Sequence, residues 1–293
     1  MKRIVIVGLG LIGGSLAAAL QGFEDYTVTG VDTDPEVRRF AIENGIADEV
    51  TDDTPSALRQ ADVVFLCMHP DGILEALEAY QNTFKSGALV TDVGGVKTAV
   101  MEKAACLPET VDFIGAHPMA GKERGGIQNA GANLFCGAHY IMTPGPASTS
   151  EHIALLERMA EYMGFRDVVK TTPEHHDAII AYTSQAMHIM AVSICDDPFM
   201  FDCIGFEGGS FRDCTRVAAL EPDLWTQLFS LNAPALTETL ERFETHLRAY
   251  REVIASGDRE KLMGMLQSSS ERKRRMNLEH RRGDDLYGPA EKK

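Results

Sequence analysis

Arg3-Ile4-Val5-Ile6-Val7-Gly8-Leu9-Gly10-Leu11-Ile12-Gly13-Gly14-Ser15 is the stretch from which the fold can be read. Its first residues are a continuous apolar run, the pattern of a strand buried on both faces. Glycines follow at Gly8, Gly10 and Gly13, and a helical pattern then runs through Leu16, Ala17 and Leu20. The three glycines meet three physical needs, namely a tight turn, close approach of backbone to a pyrophosphate, and close packing of helix on strand. The helix start adds free N–H groups and the positive end of a dipole. A bare G-x-G-x-x-G is weak evidence; its place between strand and helix gives it weight. Gly8, Leu9, Gly10, Leu11, Ile12 and Gly13 are therefore the candidate dinucleotide turn.

The next strand ends in Gly30-Val31-Asp32, and Asp32 lies 19 residues beyond Gly13. An acid at that point can bond both ribose hydroxyls of an adenosine and repel a 2′-phosphate. Thr33, Asp34 and Pro35 follow it with no arginine, which favours NAD over NADP. Asp34 before Pro35 is the better helix cap, so Asp32 is not needed for that role. Strands over 62–67, 88–93, 112–116 and 139–142 alternate with helices over 71–84 and 150–163. His69-Pro70 closes one strand and Gly94-Gly95-Val96-Lys97 opens a helix after another. Such alternation predicts an α/β, Rossmann-type, doubly wound and mostly parallel sheet over residues 1–170. Its ligand should lie at the carboxyl ends of the strands. Asp92, Gly95 and His117 all fall at those ends. His117 closes Ile114-Gly115-Ala116-His117-Pro118-Met119-Ala120-Gly121, a strand edge where an imidazole can meet a ligand and exchange a proton.

After Lys170 the strand pattern stops, and residues 171–293 read as an all-helical domain. Thr171-Thr172-Pro173-Glu174 is a helix start, and the helix should run to about Cys195. It places Ala181, Gln185, His188 and Val192 on one face, the small and polar wall of a ligand site. Glycines at 205, 208 and 209 lead into a helix carrying Arg212, Asp213 and Arg216. Arg216 has the fork geometry for a carboxylate, and Trp225 could wall a ring. Leu236, Leu240, Phe243, Leu247, Tyr250 and Ile254 are spaced 4-3-4-3-4. That seam should pack along another helix, from this chain or from a second subunit.

At 293 residues, two domains are the default, and a net charge of −15 disfavours nucleic acid and anionic membrane as partners. Six cysteines without C-x-x-C or zinc spacing suggest buried thiols in a reducing compartment and no metal site. No signal peptide and no apolar run of bilayer length stand out in the sequence, so a cytoplasmic protein is expected.

With these motifs in order, the chain resembles the prephenate/arogenate dehydrogenases of tyrosine biosynthesis. The resemblance rests on Gly8–Ser15, Gly115–Gly121, Thr183–His188 and Gly208–Arg216 and covers nearly the whole chain. It implies a dinucleotide domain followed by a helical dimerisation domain, and NAD-dependent oxidative decarboxylation of prephenate to 4-hydroxyphenylpyruvate, or of arogenate to tyrosine. It implies catalytic roles for His117, which takes the ring-hydroxyl proton, for His188, which holds the substrate, and for Arg216, which grips a carboxylate. Glu123, Gln185, Gly209, Asp213 and Trp225 are the further substrate candidates; His69, Pro70 and Gly95 join the dinucleotide turn and Asp32 around the cofactor. Many members carry serine where this chain has Gly95, and a small hydroxyl residue where it has Lys122. A β-hydroxyacid dehydrogenase would place a lysine on the 173–195 helix, which has none. A sensor that binds nucleotide without catalysis is the rival of another class.

Overall fold

The computed structural model describes residues 2–122 and 124–287. Its centre is an eight-stranded sheet of order β3-β2-β1-β4-β5-β6-β7-β8. The strands are β1 (Lys2–Val7), β2 (Tyr26–Val31), β3 (Glu49–Thr51), β4 (Val63–Leu66), β5 (Leu89–Asp92), β6 (Asp112–Pro118), β7 (His139–Pro144) and β8 (Asp167–Lys170). All neighbouring pairs are parallel except β6 with β7. The alternation of side chains along a strand builds one core on each face. Ile4, Ile6, Val28 and Phe65 enter one; Val5, Val7, Val64, Leu66 and Val90 enter the other.

Helices α1 (Leu11–Leu20), α2 (Pro35–Glu43), α3 (Thr54–Gln60), α4 (Pro70–Ala79), α5 (Thr98–Ala104) and α6 (Ser150–Tyr162) connect the strands. Asp34 caps α2 by accepting the Glu36 N–H at 2.8 Å, as its place before Pro35 suggested. Strands β3 and β8 were not expected from the sequence. Both are short, and neither carries the apolar run of the central strands: Glu49 and Lys170 are exposed and Val50 and Val168 only half-buried.

The helical half begins with α7 (Pro173–Ile180), a π turn (Ala181–Gln185) and α8 (Ala186–Cys195). Together they make Pro173–Cys195, 23 residues with a mean hydropathy of 1.4 over an 18-residue window. By length and composition this helix could cross a bilayer, which corrects the expectation that no such run exists. Its His, Asp and Gln residues look like interruptions in the sequence, but Ala, Ile, Met and Val outweigh them in the average. His176, Asp177 and Gln185 are buried here and bonded to other protein groups, while Ile179, Tyr182, Met187, Met190 and Ile194 on the same run are exposed. Next come α9 (Gly209–Thr215), α10 (Pro222–Leu231), α11 (Ala233–Ser256) and α12 (Arg259–Tyr287).

The chain separates into two compact units, Met1–Leu236 and Thr237–Lys293. This division differs from the 170/171 boundary expected from pattern alone. The helices as far as α10 pack on the sheet unit: Asn232 Nδ2 donates to the Asp177 carbonyl at 2.9 Å, and Asp71 N–H to Gln227 Oε1 at 3.1 Å. In the second unit, Tyr250 and Ser269 share a hydroxyl hydrogen bond of 3.0 Å between α11 and α12. Two positions of the heptad seam, Leu247 and Ile254, remain exposed.

Candidate active site

The site is built at the carboxyl ends of β1, β4, β5 and β6. At Gly8 and Gly13 the turn after β1 has no room for a side chain. Gly8 has φ +91°, and a Cβ at Gly13 would stand 1.8 Å from the Gly8 carbonyl oxygen and 2.9 Å from Cys67 Cβ. A Cβ on Gly10 would meet nothing within 4 Å, so that backbone faces open space at the start of α1. This is the cradle a pyrophosphate needs. Asp32 Oδ2 accepts the Leu9 N–H at 2.8 Å and Oδ1 the Asp34 N–H at 2.9 Å. Both oxygens keep lone pairs for a ribose.

Beneath the cleft lies a fully buried lysine. Lys97 Nζ is paired with Asp92 Oδ2 and donates to the Ala116 carbonyl at 2.7 Å. Asp92 Oδ1 accepts the Ala116 N–H at 3.2 Å, and Oδ2 the Gly94 N–H at 2.8 Å. A Cβ at Gly115 would stand 3.3 Å from Lys97 Cδ and 2.5 Å from Thr143 Oγ1, so glycine lets the lysine stem lie against β6. Burial lowers the Lys97 pKa, and Asp92 opposes that shift. The pair thus fixes the backbone one residue before His117.

His117 is half-buried, and its Nδ1 lies 2.9 Å from His176 Nε2. His176 Nδ1 is 2.7 Å from Asp177 Oδ1. Asp177 also accepts the N–H groups of Lys97 and Thr98, each at 2.8 Å. Burial works to raise the Asp177 pKa, but the bonds from His176, Thr98 and Lys97 outweigh it and hold the carboxyl below its usual range. Burial first, then His176 and the Lys97 ammonium, push His117 well below the ordinary imidazole value, with Asp177 opposing. His117 is therefore neutral at pH 7 and able to accept a proton. On its other side, a Cβ added to Gly95 would stand 4.0 Å from His117 Nε2 and 3.2 Å from Leu228 Cδ2. A serine there would have its hydroxyl within reach of the imidazole.

The cleft above has a volume of about 1120 Å³. Its walls bring together Gly10, Leu11, Ile12, His69, Pro70, Gly95, His117, Gln185, His188, Arg216 and Trp225. His188 stacks on Trp225 at 3.7 Å between ring centroids, and its Nδ1 meets the Ser184 carbonyl at 3.0 Å. Burial lowers the His188 pKa against that bond, and Arg216 adds to the lowering. Gln185 lines the cleft, but Nε2 donates to the Leu228 carbonyl at 3.1 Å and Oε1 accepts from Asn232 at 2.7 Å. Its amide thus ties α10 to the π turn, which is not the substrate contact expected of it. Gly209 and Asp213 are exposed on α9 and do not line the cleft. Glu123 lies outside the described residues.

His176, Asp177, Lys97 and the role of Asp92 were not foreseen from the sequence. The available signal was an acid and a lysine five residues apart around a glycine pair at a strand end, and a His-Asp step in the first turns of a helix.

Residues 16–169 match the family profile described as prephenate dehydrogenase, nucleotide-binding domain, and residues 172–268 the one described as prephenate dehydrogenase, dimerization domain. The chain belongs to the prephenate dehydrogenase family. A cyclohexadienyl dehydrogenase of Zymomonas mobilis is 34% identical over 287 residues, covering 95% of this chain and 97% of that one. The prephenate dehydrogenase of A. aeolicus, solved with hydroxyphenyl propionate and NAD+, has a TM-score of 0.85 at 29% identity, covering 94% of this chain and 98% of that one. The arogenate dehydrogenase of Synechocystis has a TM-score of 0.81 at 32% identity, covering 94% of this chain and 100% of that one. The two family profiles meet between residues 169 and 172, where β8 ends and α7 begins.

The buried pair gives a stability test. Lys97→Met leaves the Asp92 carboxylate buried without its cation and should cost about 3–5 kcal/mol in urea unfolding. Adding Asp92→Asn removes the stranded charge and should restore a good part of the loss. A single variant as stable as the parent would contradict the role given to the pair.

Proposed function

We propose that this chain oxidises prephenate with NAD+, releasing CO2 and 4-hydroxyphenylpyruvate. The observation that carries the reading is His117, held neutral with one ring edge open to a cleft that also contains Arg216 and the glycine turn. NAD+ supplies the acceptor for the hydride that leaves ring carbon 4. His117 takes the proton of the hydroxyl on that carbon as the C–H bond breaks. The bond to the ring carboxylate then breaks, its electrons aromatise the ring, and the new phenolate oxygen takes a proton. Aromatisation supplies the driving force.

Arg216 grips a substrate carboxylate, and the stacked His188–Trp225 pair walls the ring and limits water. Gly8, Leu9, Gly10, Leu11, Ile12 and Gly13 receive the pyrophosphate, Asp32 the adenosine ribose, and His69, Pro70 and Gly95 border the nicotinamide end. Gly209 and Asp213 receive no role. Arogenate is the second substrate to consider, because similar proteins carry that name and the name cyclohexadienyl dehydrogenase. It differs from prephenate by an amino group in place of the keto group.

Residues 171–293 form the substrate and dimerisation part in this reading. The match of 172–268 to a dimerisation domain supports a homodimer. So do exposed Phe199, Phe201, Ile204 and Phe206, and the open seam positions Leu247 and Ile254. The six cysteines are free but, against the expectation of buried thiols, Cys106, Cys136 and Cys214 are exposed and the others half-buried; unpaired thiols fit a reducing compartment, and the cytoplasm is the proposed location.

NADH formation with prephenate and with arogenate tests the substrate. Turnover of prephenate at the higher kcat/KM supports the reading, and turnover of neither favours a nucleotide-binding sensor. His117→Asn should keep KM within a few-fold and lose roughly 10²–10⁴-fold in kcat. Arg216→Ala should mostly raise KM, by on the order of 2–5 kcal/mol in binding free energy. Asp32 generates a separate expectation: NAD+ far better used than NADP+, with the gap narrowed by Asp32→Ser. Equal kcat/KM for the two cofactors in the parent would refute it. Light scattering should give twice the 32.1 kDa chain mass; a monomer at micromolar concentration would refute the dimer.

A further inference from the structure

Oxidative decarboxylation of prephenate by NAD+ neither consumes nor releases a net proton. The hydroxyl loses one as the hydride leaves, and the phenolate oxygen gains one after CO2 leaves. A group on the protein that keeps that proton between the two events spares an exchange with solvent, provided that it does not block the second step.

The geometry around His117 provides such a group. A carboxylate only accepts hydrogen bonds. Asp177 Oδ1, 2.7 Å from His176 Nδ1, therefore requires the His176 proton on Nδ1. In the neutral ring this leaves Nε2 of His176 bare. At 2.9 Å, that bare nitrogen requires a proton on His117 Nδ1. The neutral His117 ring then has its lone pair on Nε2, the nitrogen beside Gly95. One carboxylate thus sets the tautomers of two rings in sequence.

The charges around the pair are opposed. The Lys97 ammonium works against an imidazolium at His117, while the Asp177 carboxylate, which His176 Nδ1 touches at 2.7 Å, works in the opposite sense. Asp92 lies behind Lys97 and is paired with it. Across the cleft stand His188 and Arg216. His176 is 2% exposed and Asp177 4%, so a proton held there is shielded from water.

We propose that His176 and Asp177 are positioning residues for His117, fixing its Nε2 as the acceptor and storing the proton until it returns to the phenolate oxygen. In atoms, the substrate O–H breaks as the His117 Nε2–H bond forms. The His117 Nδ1 proton passes to His176 Nε2, leaving His117 neutral and His176 a cation against Asp177. After CO2 departs, the His176 Nε2 proton returns to His117 Nδ1 and the Nε2 proton of His117 goes to the phenolate. This rests on the reading of His117 as the base.

The test combines a spectroscopic and a kinetic readout on the full-length protein. Nitrogen-15 NMR of the histidine rings with NAD+ present, at pH 8, should show His117 and His176 both neutral and protonated on Nδ1. A proton on Nε2 of His117 would overturn the proposal. His176→Gln, which can bond but not hold a proton, and Asp177→Asn, which removes the charge, should each lose on the order of 10²-fold in kcat with KM within a few-fold. In Asp177→Asn the acid limb of the kcat/KM profile should move to lower pH, because the carboxylate that opposes the lowering of His117 is gone. Unchanged kcat, or a fall with the acid limb of Asp177→Asn unmoved, would mean that the pair only supports the fold. NAD+ titration of each variant checks that the nucleotide site persists, and the NMR result stands even where a variant fails to fold. His117→Asn separates the two readings: full activity in it overturns the base itself. An inactive His117→Asn beside a fully active His176→Gln overturns only the storage.

Discussion

Burying an ammonium in a protein interior costs several kcal/mol unless it is paired and its remaining donors are satisfied. Lys97 meets that condition through Asp92 and the Ala116 carbonyl. The cost forces an arrangement: the end of β5, the glycine pair at 94–95 and the end of β6 must all converge on one charge. His117 follows Ala116 directly, so its backbone is set by that convergence. Asp177 adds the second restraint from outside the sheet. It collects two N–H groups at the start of α5, where the helix has no internal acceptor for them, and so fixes α7 against the cleft floor.

The central fold was legible because physics leaves few options for it. A buried parallel strand must read as an apolar run, and a turn that packs a helix start on its own strand needs glycine where the backbones meet, as the 1.8 Å clearance at Gly13 shows. That Gly95 and His117 would meet at one cleft could be read from strand ends; His188 and Arg216, which also line it, were placed there by the family resemblance. His176 and Asp177 could not, because Pro173-Glu174-His175-His176-Asp177 is also a good helix start and gives no hint of which residue it faces. Their partners lie 59 and 80 residues away in sequence. Gln185 shows the converse: its helical face placed it at the cleft, but its amide partners, Leu228 and Asn232, come from a helix whose docking the pattern cannot specify.

The π turn at Ala181–Gln185 lies between the two histidine stations of one helical run. His176 is N-terminal to it and faces the sheet; His188 is C-terminal to it and faces Trp225. A wide turn of this kind shifts the face that follows it and is frequent at functional sites. Here it lets one helix supply the support behind His117 and the wall opposite. That explains why the compact unit extends to Leu236 although the strands end at Lys170: the cleft needs α7, α8 and α10 as much as it needs the sheet.

A net charge of −15 would repel a dianionic substrate if it acted uniformly, but surface and cleft charges act at different ranges. At physiological ionic strength the field of surface carboxylates fades within about 8 Å. Inside the cleft Lys122, Arg124 and Arg216 stand against Glu221 among the described lining residues, and low-dielectric walls strengthen their effect. The same reasoning applies on a smaller scale beneath the cleft. Lys97 lowers the proton affinity of His117 and Asp177 opposes it, yet Asp177 is bonded to the backbone N–H of Lys97 itself and Lys97 carries its own counter-charge in Asp92. The buried charges thus offset one another beneath the imidazole, and His117 is left neutral before substrate arrives.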